Sequence, residues 1–182
     1  PGVDRSGDPL KHGNYAGSSR HGGVLVLCGD DHGARSSTLA HQSDPALIHF
    51  GMPILFPATI QEYLDFGLYG FALSRYAGCW VGFKCVTDVV EGSASVAVDP
   101  QRVRIVEPRD FALPPGGLNI RWPDPPLDQE LRLHQYAMHA AQAFARANQI
   151  DKIIFDSPRA RLGIVTTGKS YLDVLQALEY LG

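Results

Sequence analysis

Long apolar runs, clustered basic residues and paired cysteines are all missing from this 182-residue chain. No hydrophobic stretch approaches the roughly 20 residues of a membrane helix, so a helical membrane span is not expected. Lys and Arg form no block, and the net charge is −3, which argues against nucleic acid or an anionic membrane as partner. The three cysteines, Cys28, Cys79 and Cys85, are odd in number and include no CxxC pair. A disulfide framework, a zinc ribbon and an iron–sulfur cluster within these residues are therefore not expected, and a reducing, cytoplasmic setting is. No signal-peptide h-region, internal repeat or low-complexity tract is found.

What remains is an ordinary globular composition, 45% hydrophobic and 19% charged. Residues 1–23 are Gly-rich and read as a loop. Val24 to Cys28 is a short apolar run between glycines and reads as a strand buried on both faces of a parallel sheet. A short helix is expected near Leu39 to Gly51, and a second short strand at Ile54 to Phe56. Thr59 and Glu62 have capping-box spacing, so a helix should begin at Thr59 and stop at Gly78, with Ile60, Tyr63, Leu64, Leu68 and Phe71 on one face. Val81–Val86, Ser95–Val98 and Val103–Val106 read as strands. Residues 107–126 hold six of the thirteen prolines and read as an extended connector outside the core. Leu127 to Asn148 is Ala-rich and helically periodic. Gly163–Thr167 reads as a strand and Ser170–Leu181 as a helix, opening a β–α unit that needs further strands to bury both faces.

The segment Gly29-Asp30-Asp31-His32-Gly33-Ala34-Arg35-Ser36-Ser37 carries the most chemistry. It leaves a strand at the carboxyl end, where open α/β sheets collect ligands. Two acids, an imidazole and two hydroxyls could orient a polar substrate, move a proton or hold a metal. The same residues also suit a tight turn in which Asp30 caps amides and a serine starts a helix. Asp31, His32 and His41 could form a metal set but match no ligand spacing, and no metal site is assigned. His41 and His49 otherwise read as helix-surface or core histidines. Arg75, Lys84 and the loop Asp4–Asp8 are candidate charged lining, each explicable as a solvated surface group.

Gly163 to Ser170 fits GxxxxGK[ST] letter for letter. A phosphate loop needs a strand before it and a flexible middle. Here the middle is Ile164, Val165, Thr166 and Thr167, all β-branched, so a β–turn–α connection is the better reading.

Four stretches, PGVDRSGDPLKHGN, HGGVLVLCGDDHGARSSTLAHQSD, GMPILFPATIQEYLDFGLYGFALSRYAGCWVGFKCVTDVVE and PRARLGIVTTGKSYLDVLQALEYLG, resemble fused-type indolepyruvate ferredoxin oxidoreductases. The resemblance implies an internal fragment of α/β class. Residues 1–106 would be the later part of a pyrimidine-binding domain, 107–149 a connector and helix, and 150–182 the start of a transketolase C-terminal-like domain. It implies thiamine diphosphate with Mg²⁺, bound jointly with other domains, and iron–sulfur clusters elsewhere. The implied reaction is oxidative decarboxylation of a 2-oxo acid such as indolepyruvate, with coenzyme A and ferredoxin as partners and a homo-oligomer as the assembly. On this resemblance His32 is the expected catalytic residue. Gly29, Asp30 and Asp31 are expected to line the cofactor, and Ser36 and Ser37 to bind substrate. The family's aminopyrimidine-contacting Glu and its GDG…Asn motif have no match here, so the fragment alone should be inactive. Competing readings are a P-loop nucleotide module and a non-catalytic docking domain.

Overall fold

Three strands pair in parallel: β1 (Leu25–Asp30), β2 (Ile54–Leu55) and β3 (Val81–Val86), in the order β1-β3-β2. They belong to a computed structural model that describes residues 2–182. Parallel neighbours need crossovers. Helix α3 (Asp44–His49) joins β1 to β2, and α4 (Ile60–Ala77) joins β2 to β3. Two helices precede the sheet, α1 (Gly2–Arg5) and α2 (Gly7–Ala16). A short α5 (Thr87–Val90) follows it.

Period-two alternation along β3 assigns each face. Phe83 packs on Tyr63 of α4, ring centroids 5.6 Å apart. On the other face Gly82 lies against Leu47 of α3; a Cβ built there would sit 2.7 Å from a Leu47 methyl. The larger core joins Leu73, Ala77, Val81, Phe83, Ala140 and Phe144. The smaller one joins Cys28, Leu47, Phe50 and Met52. Strand β3 is buried except at the half-buried Cys85, whereas β1 is not: Leu27 is 68% exposed. The expected two-sided burial of β1 is therefore only half met, because β1 is an edge strand.

Helix α4 begins and ends on the expected residues. Thr59 Oγ1 accepts from the Glu62 amide at 3.2 Å. Glu62 reaches back to the Ala58 amide, at 2.7 Å, one residue earlier than the simplest capping box. Gly78 ends the helix in the left-handed region with φ 69°.

The N-terminal segment departs from expectation: residues 2–16 are largely helical, not loop. Its glycines serve close approach. Gly13 lies under the Trp80 ring, where a Cβ would come within 2.3 Å of it. Asn14, 1% exposed, donates to the carbonyls of Phe50 and Gly51 and accepts from the Trp80 amide.

The connector between α5 and α6 (Pro126–Arg132) also departs. Ser95–Val98 and Val103–Val106 form no strands. Single side-chain amides take the place of a neighbouring strand. Gln61 bonds both the N–H and the carbonyl of Ala97. Asn148 does the same for Val106. The connector is not outside the core either, since Leu118 is 1% exposed within the larger cluster. Helix α6 runs through a π turn (Leu133–Ala137) into α7 (Met138–Ala147), giving the single long helix expected near 127–148.

After Ile150 no side chain is buried in either cluster. Gly163–Thr167 pairs with nothing and is not a strand. Helix α8 (Lys169–Leu181) is amphipathic yet buries no residue. Its start touches the body where Gly168 packs on the Phe56 ring.

One substitution tests the α4 terminus. A Cβ at residue 78 would stand 2.1 Å from the Leu118 carbonyl oxygen, on a backbone that already requires positive φ. Gly78→Ala should lower unfolding free energy by about 2 kcal/mol, read from urea denaturation midpoints at unchanged slope.

Candidate functional site

The carboxyl ends of β1 and β3 meet a buried cluster of charge. Lys84 lies inside the fully buried run of β3 and is 2% exposed. An ammonium cannot be left there unpaired. It is shared between Asp44, the first residue of α3, and Asp30, the last of β1, whose Oδ2 is 3.4 Å away. The ammonium also sits 4.6 Å from the centre of the Phe56 ring, on the favourable face for a cation.

Asp30 is the hub. Its carboxylate accepts from the Ser43 hydroxyl at 2.6 Å and the Ser43 amide at 2.9 Å. The His41 ring contacts it at 3.4 Å through Nδ1 and contacts Asp4 of α1 at 3.1 Å through Nε2. Burial alone would raise the Asp30 carboxyl. The two Ser43 hydrogen bonds, Lys84 and His41 outweigh burial and hold it below the usual carboxylate range.

Asp31 does the capping that the tight-turn reading gave to Asp30. Its oxygens accept from the amides of Arg35 (3.0 Å), Ser36 (2.7 Å) and Ser37 (3.1 Å) and from the Ser36 hydroxyl (3.2 Å). The amides of Ser36 and Arg35 draw its pKa down to about 2. Ala34, at φ 51°, turns the chain so that these donors converge. No helix starts at Ser36 or Ser37. The expected helix near Leu39 begins only at Asp44, after Asp30 has taken the Ser43 amide and hydroxyl.

The structure thus brings Gly29, Asp30 and His32 to one end of β1, with His32 Nε2 3.9 Å from Asp30 Oδ2. His32 is 43% exposed on its side chain and stands outside the cluster. Gly29 is exposed too, with open space where a Cβ would lie. Asp31 and Ser36 are occupied with each other, while Ser37 contributes its amide to the turn. Sequence reasoning missed Ser43 and Asp44, and it named Lys84 as candidate charged lining while favouring a solvated surface group; the structure buries it. The available signal was a lysine inside the apolar run Val81–Val86, which demands a carboxylate partner.

Among the described residues, Asp30, His32 and Asp44 each bring one ligand atom within 4.8 Å of the others. The Lys84 ammonium contacts both of those carboxylates, so they already have a cation. Asp31, which the sequence grouped with His32 and His41 as a metal set, is bound to its own turn instead. The thiols are not activated nucleophiles: burial pushes Cys28 up to about 11 and Cys79 up to about 12, and raises Cys85. The P-loop letters at 163–170 have no strand before them, and Lys169 Nζ turns to Asp173 at 2.5 Å.

With this geometry in view, known proteins can be compared. The chain is similar to the indolepyruvate oxidoreductase subunit IorA of Pyrococcus abyssi. The identity is 27% over 188 aligned residues that take in the whole chain. The chain spans 28% of that relative's length. No protein-family model matches, and no solved structure does. The likeness is to an oxidoreductase subunit, and the α/β class with a small open parallel sheet is compatible with it.

Two outcomes follow from the cluster. Lys84→Met should cost on the order of 3 kcal/mol, because it leaves two carboxylates facing each other without their cation. Lys84→Met combined with Asp44→Asn should recover part of that loss, and thermal or urea unfolding of the pair checks it. The second outcome concerns pH. Asp31 has a folded pKa below that of an unfolded aspartate, near 3.9. Its stabilising effect is therefore complete above about pH 4 and disappears as pH falls toward 2. The stability gap between the native chain and Asp31→Asn should close over that interval and stay constant from pH 5 to 7.

Proposed function

We propose that this chain is part of a thiamine diphosphate-dependent 2-oxo acid oxidoreductase acting on arylpyruvates such as indolepyruvate. In this reading the turn after β1 lines a pocket whose other wall belongs to further domains of the same enzyme. The observation that carries it is the Asp30 hub. A buried lysine, a buried serine and a histidine hold one carboxylate at the carboxyl end of a parallel strand, with an exposed histidine beside it. Sheet ends of this kind are where α/β folds place ligands. The similarity to an indolepyruvate oxidoreductase subunit supplies the reaction class.

The residues present do not fit the whole cofactor. A diphosphate needs a cation and convergent donors, whereas Asp30 and Asp31 are anionic and already engaged. The turn itself suits a different task. Asp31 fixes its shape through three amides, Asp30 anchors it to the sheet, and Gly29 leaves room beside it. His32 is the exposed group able to give or take a proton or donate to a substrate oxygen. Ser37 is the serine whose hydroxyl Asp31 leaves open for a 2-oxo acid's polar end. Coenzyme A, ferredoxin and the iron–sulfur clusters would be served by other parts of the enzyme.

The test uses the longer polypeptide that carries this chain, supplied with thiamine diphosphate, Mg²⁺ and coenzyme A. Indolepyruvate-dependent reduction of a viologen dye should be seen, and His32→Ala should lower kcat/KM by about 100-fold without unfolding the protein. Absence of turnover with any aryl or alkyl 2-oxo acid would reject the reading.

A further inference from the structure

The open edge of β1 has a shape and chemistry of its own. Two hydrogen bonds set the direction of every backbone group in the sheet. Val81 donates to the Val24 carbonyl, and Gly82 donates the opposite way to Pro53, before β2. In a parallel ladder both backbone groups of a residue point to the same side, and sides alternate. Val26, Cys28 and Asp30 therefore face β3. Leu25, Leu27 and Gly29 turn their N–H and carbonyl groups away from it, and among the described residues β3 is the only strand paired with β1. Gly29 is exposed although it has nothing but backbone to expose.

An apolar strip lies above this edge. Leu25 of β1 reaches Gly70 of α4, and Gly23 lies against Phe71. Helical spacing puts Leu64, Gly67, Leu68 and Phe71 on the flank of α4 turned the same way. Leu64 is 47% exposed, Leu68 54% and Phe71 42%, and Gly67 has open space where a Cβ would lie. Leu27 shares the sheet face of Leu25, so exposed apolar side chains from both β1 and α4 stand beside a row of backbone groups that no strand pairs. Parallel sheets are stable when covered on both faces, and a long uncharged edge invites another strand.

We propose that this edge receives a further parallel β-strand, supplied by residues of the same enzyme outside these 182. The row of backbone groups calls for a strand. Apolar side chains on it would cover Leu27, Leu64 and Leu68. A second copy of the chain fits less well: a two-fold axis at this edge sets β1 against β1 antiparallel, in a sheet whose every pair is parallel. The relative that aligns with the whole chain is more than three times as long, which provides the sequence for such a strand. The source of the strand rests on the reading of the chain as part of a larger oxidoreductase; the open edge does not.

Hydrogen exchange separates the possibilities, and it needs no activity. In the 182-residue chain the amides of Leu25, Leu27 and Gly29 should exchange quickly. In the longer polypeptide they should exchange at least 100-fold more slowly. Leu27→Asp should abolish that protection there while leaving the melting temperature of the 182-residue chain unchanged, since Leu27 is already exposed. Equal exchange in both proteins would overturn the proposal, as would a gene that codes for no more than these residues. A sedimenting dimer of the 182-residue chain with protected edge amides, dissociated by Leu27→Asp, would assign the edge to a second copy and overturn it as well. Protection without 2-oxo acid turnover would leave the strand in place and remove only the enzyme assignment.

Discussion

The Lys84 ammonium is the constraint on which the carboxyl end of the sheet depends. A lysine on the central strand, 2% exposed, is tolerable only because two carboxylates meet it. Those carboxylates come from separate elements, the end of β1 and the start of α3. The ion cluster therefore fixes where one strand stops and the next helix begins. Asp30 then takes Ser43, so the chain between them must leave and return within a dozen residues. The turn in that interval is tied from within and to α1: Asp31 draws three amides inward, and His41 links Asp30 to Asp4. A single buried cation thus sets the position of the turn, its entry and its exit.

A similar economy holds the connector. Residues 92–125 contain no helix or strand, yet they do not hang free. Gln61 and Asn148 each turn an amide N–H and an amide oxygen to the carbonyl and N–H of one residue. Each captures one residue of the connector as a strand would. Leu118 then enters the larger core, and the buried Arg132 grips Asp124 and the Ala16 carbonyl. Isolated pairings of this kind satisfy an extended backbone without building a sheet, which is why strand-like sequence at Ser95–Val98 and Val103–Val106 yields irregular chain.

Elements governed by local rules were legible in the sequence. Helix α4 announces itself through Thr59, Glu62 and Gly78, and Val81–Val86 through an apolar run that only Lys84 interrupts. The acidic turn after β1 was legible as a site candidate, because polar residues directly after a buried strand are informative in any α/β protein. What escaped was decided by tertiary contact. Gly7 and Gly13 look like loop glycines, but they are where Phe50 and Trp80 press on a helix. Asp30 and Asp31 look alike in sequence, and only the fold divides their labour: one ties the turn to the sheet, the other shapes the turn. Lys84 looked like a surface charge because the two acids that neutralise it lie 40 and 54 residues away in sequence.

The two ends of β1 differ in how complete they are, and this bears on how the chain works. At the carboxyl end Lys84 and Asp30 have their partners, and hydrogen bonds within the chain close the turn. Along the outer edge backbone groups and apolar side chains face solvent. Beyond Ile150 an amphipathic helix buries no residue, and Gly168 at its start packs on Phe56. If the proposed strand joins β1, the turn at its carboxyl end is organised before that strand arrives. On the proposed reading His32 needs a fixed base to act on a substrate, since a displacement of about 1 Å already costs much of the advantage of proximity. The buried Asp30–Lys84–Asp44 cluster provides that base from within these residues, so assembly with further strands would complete the walls around the turn without having to shape it.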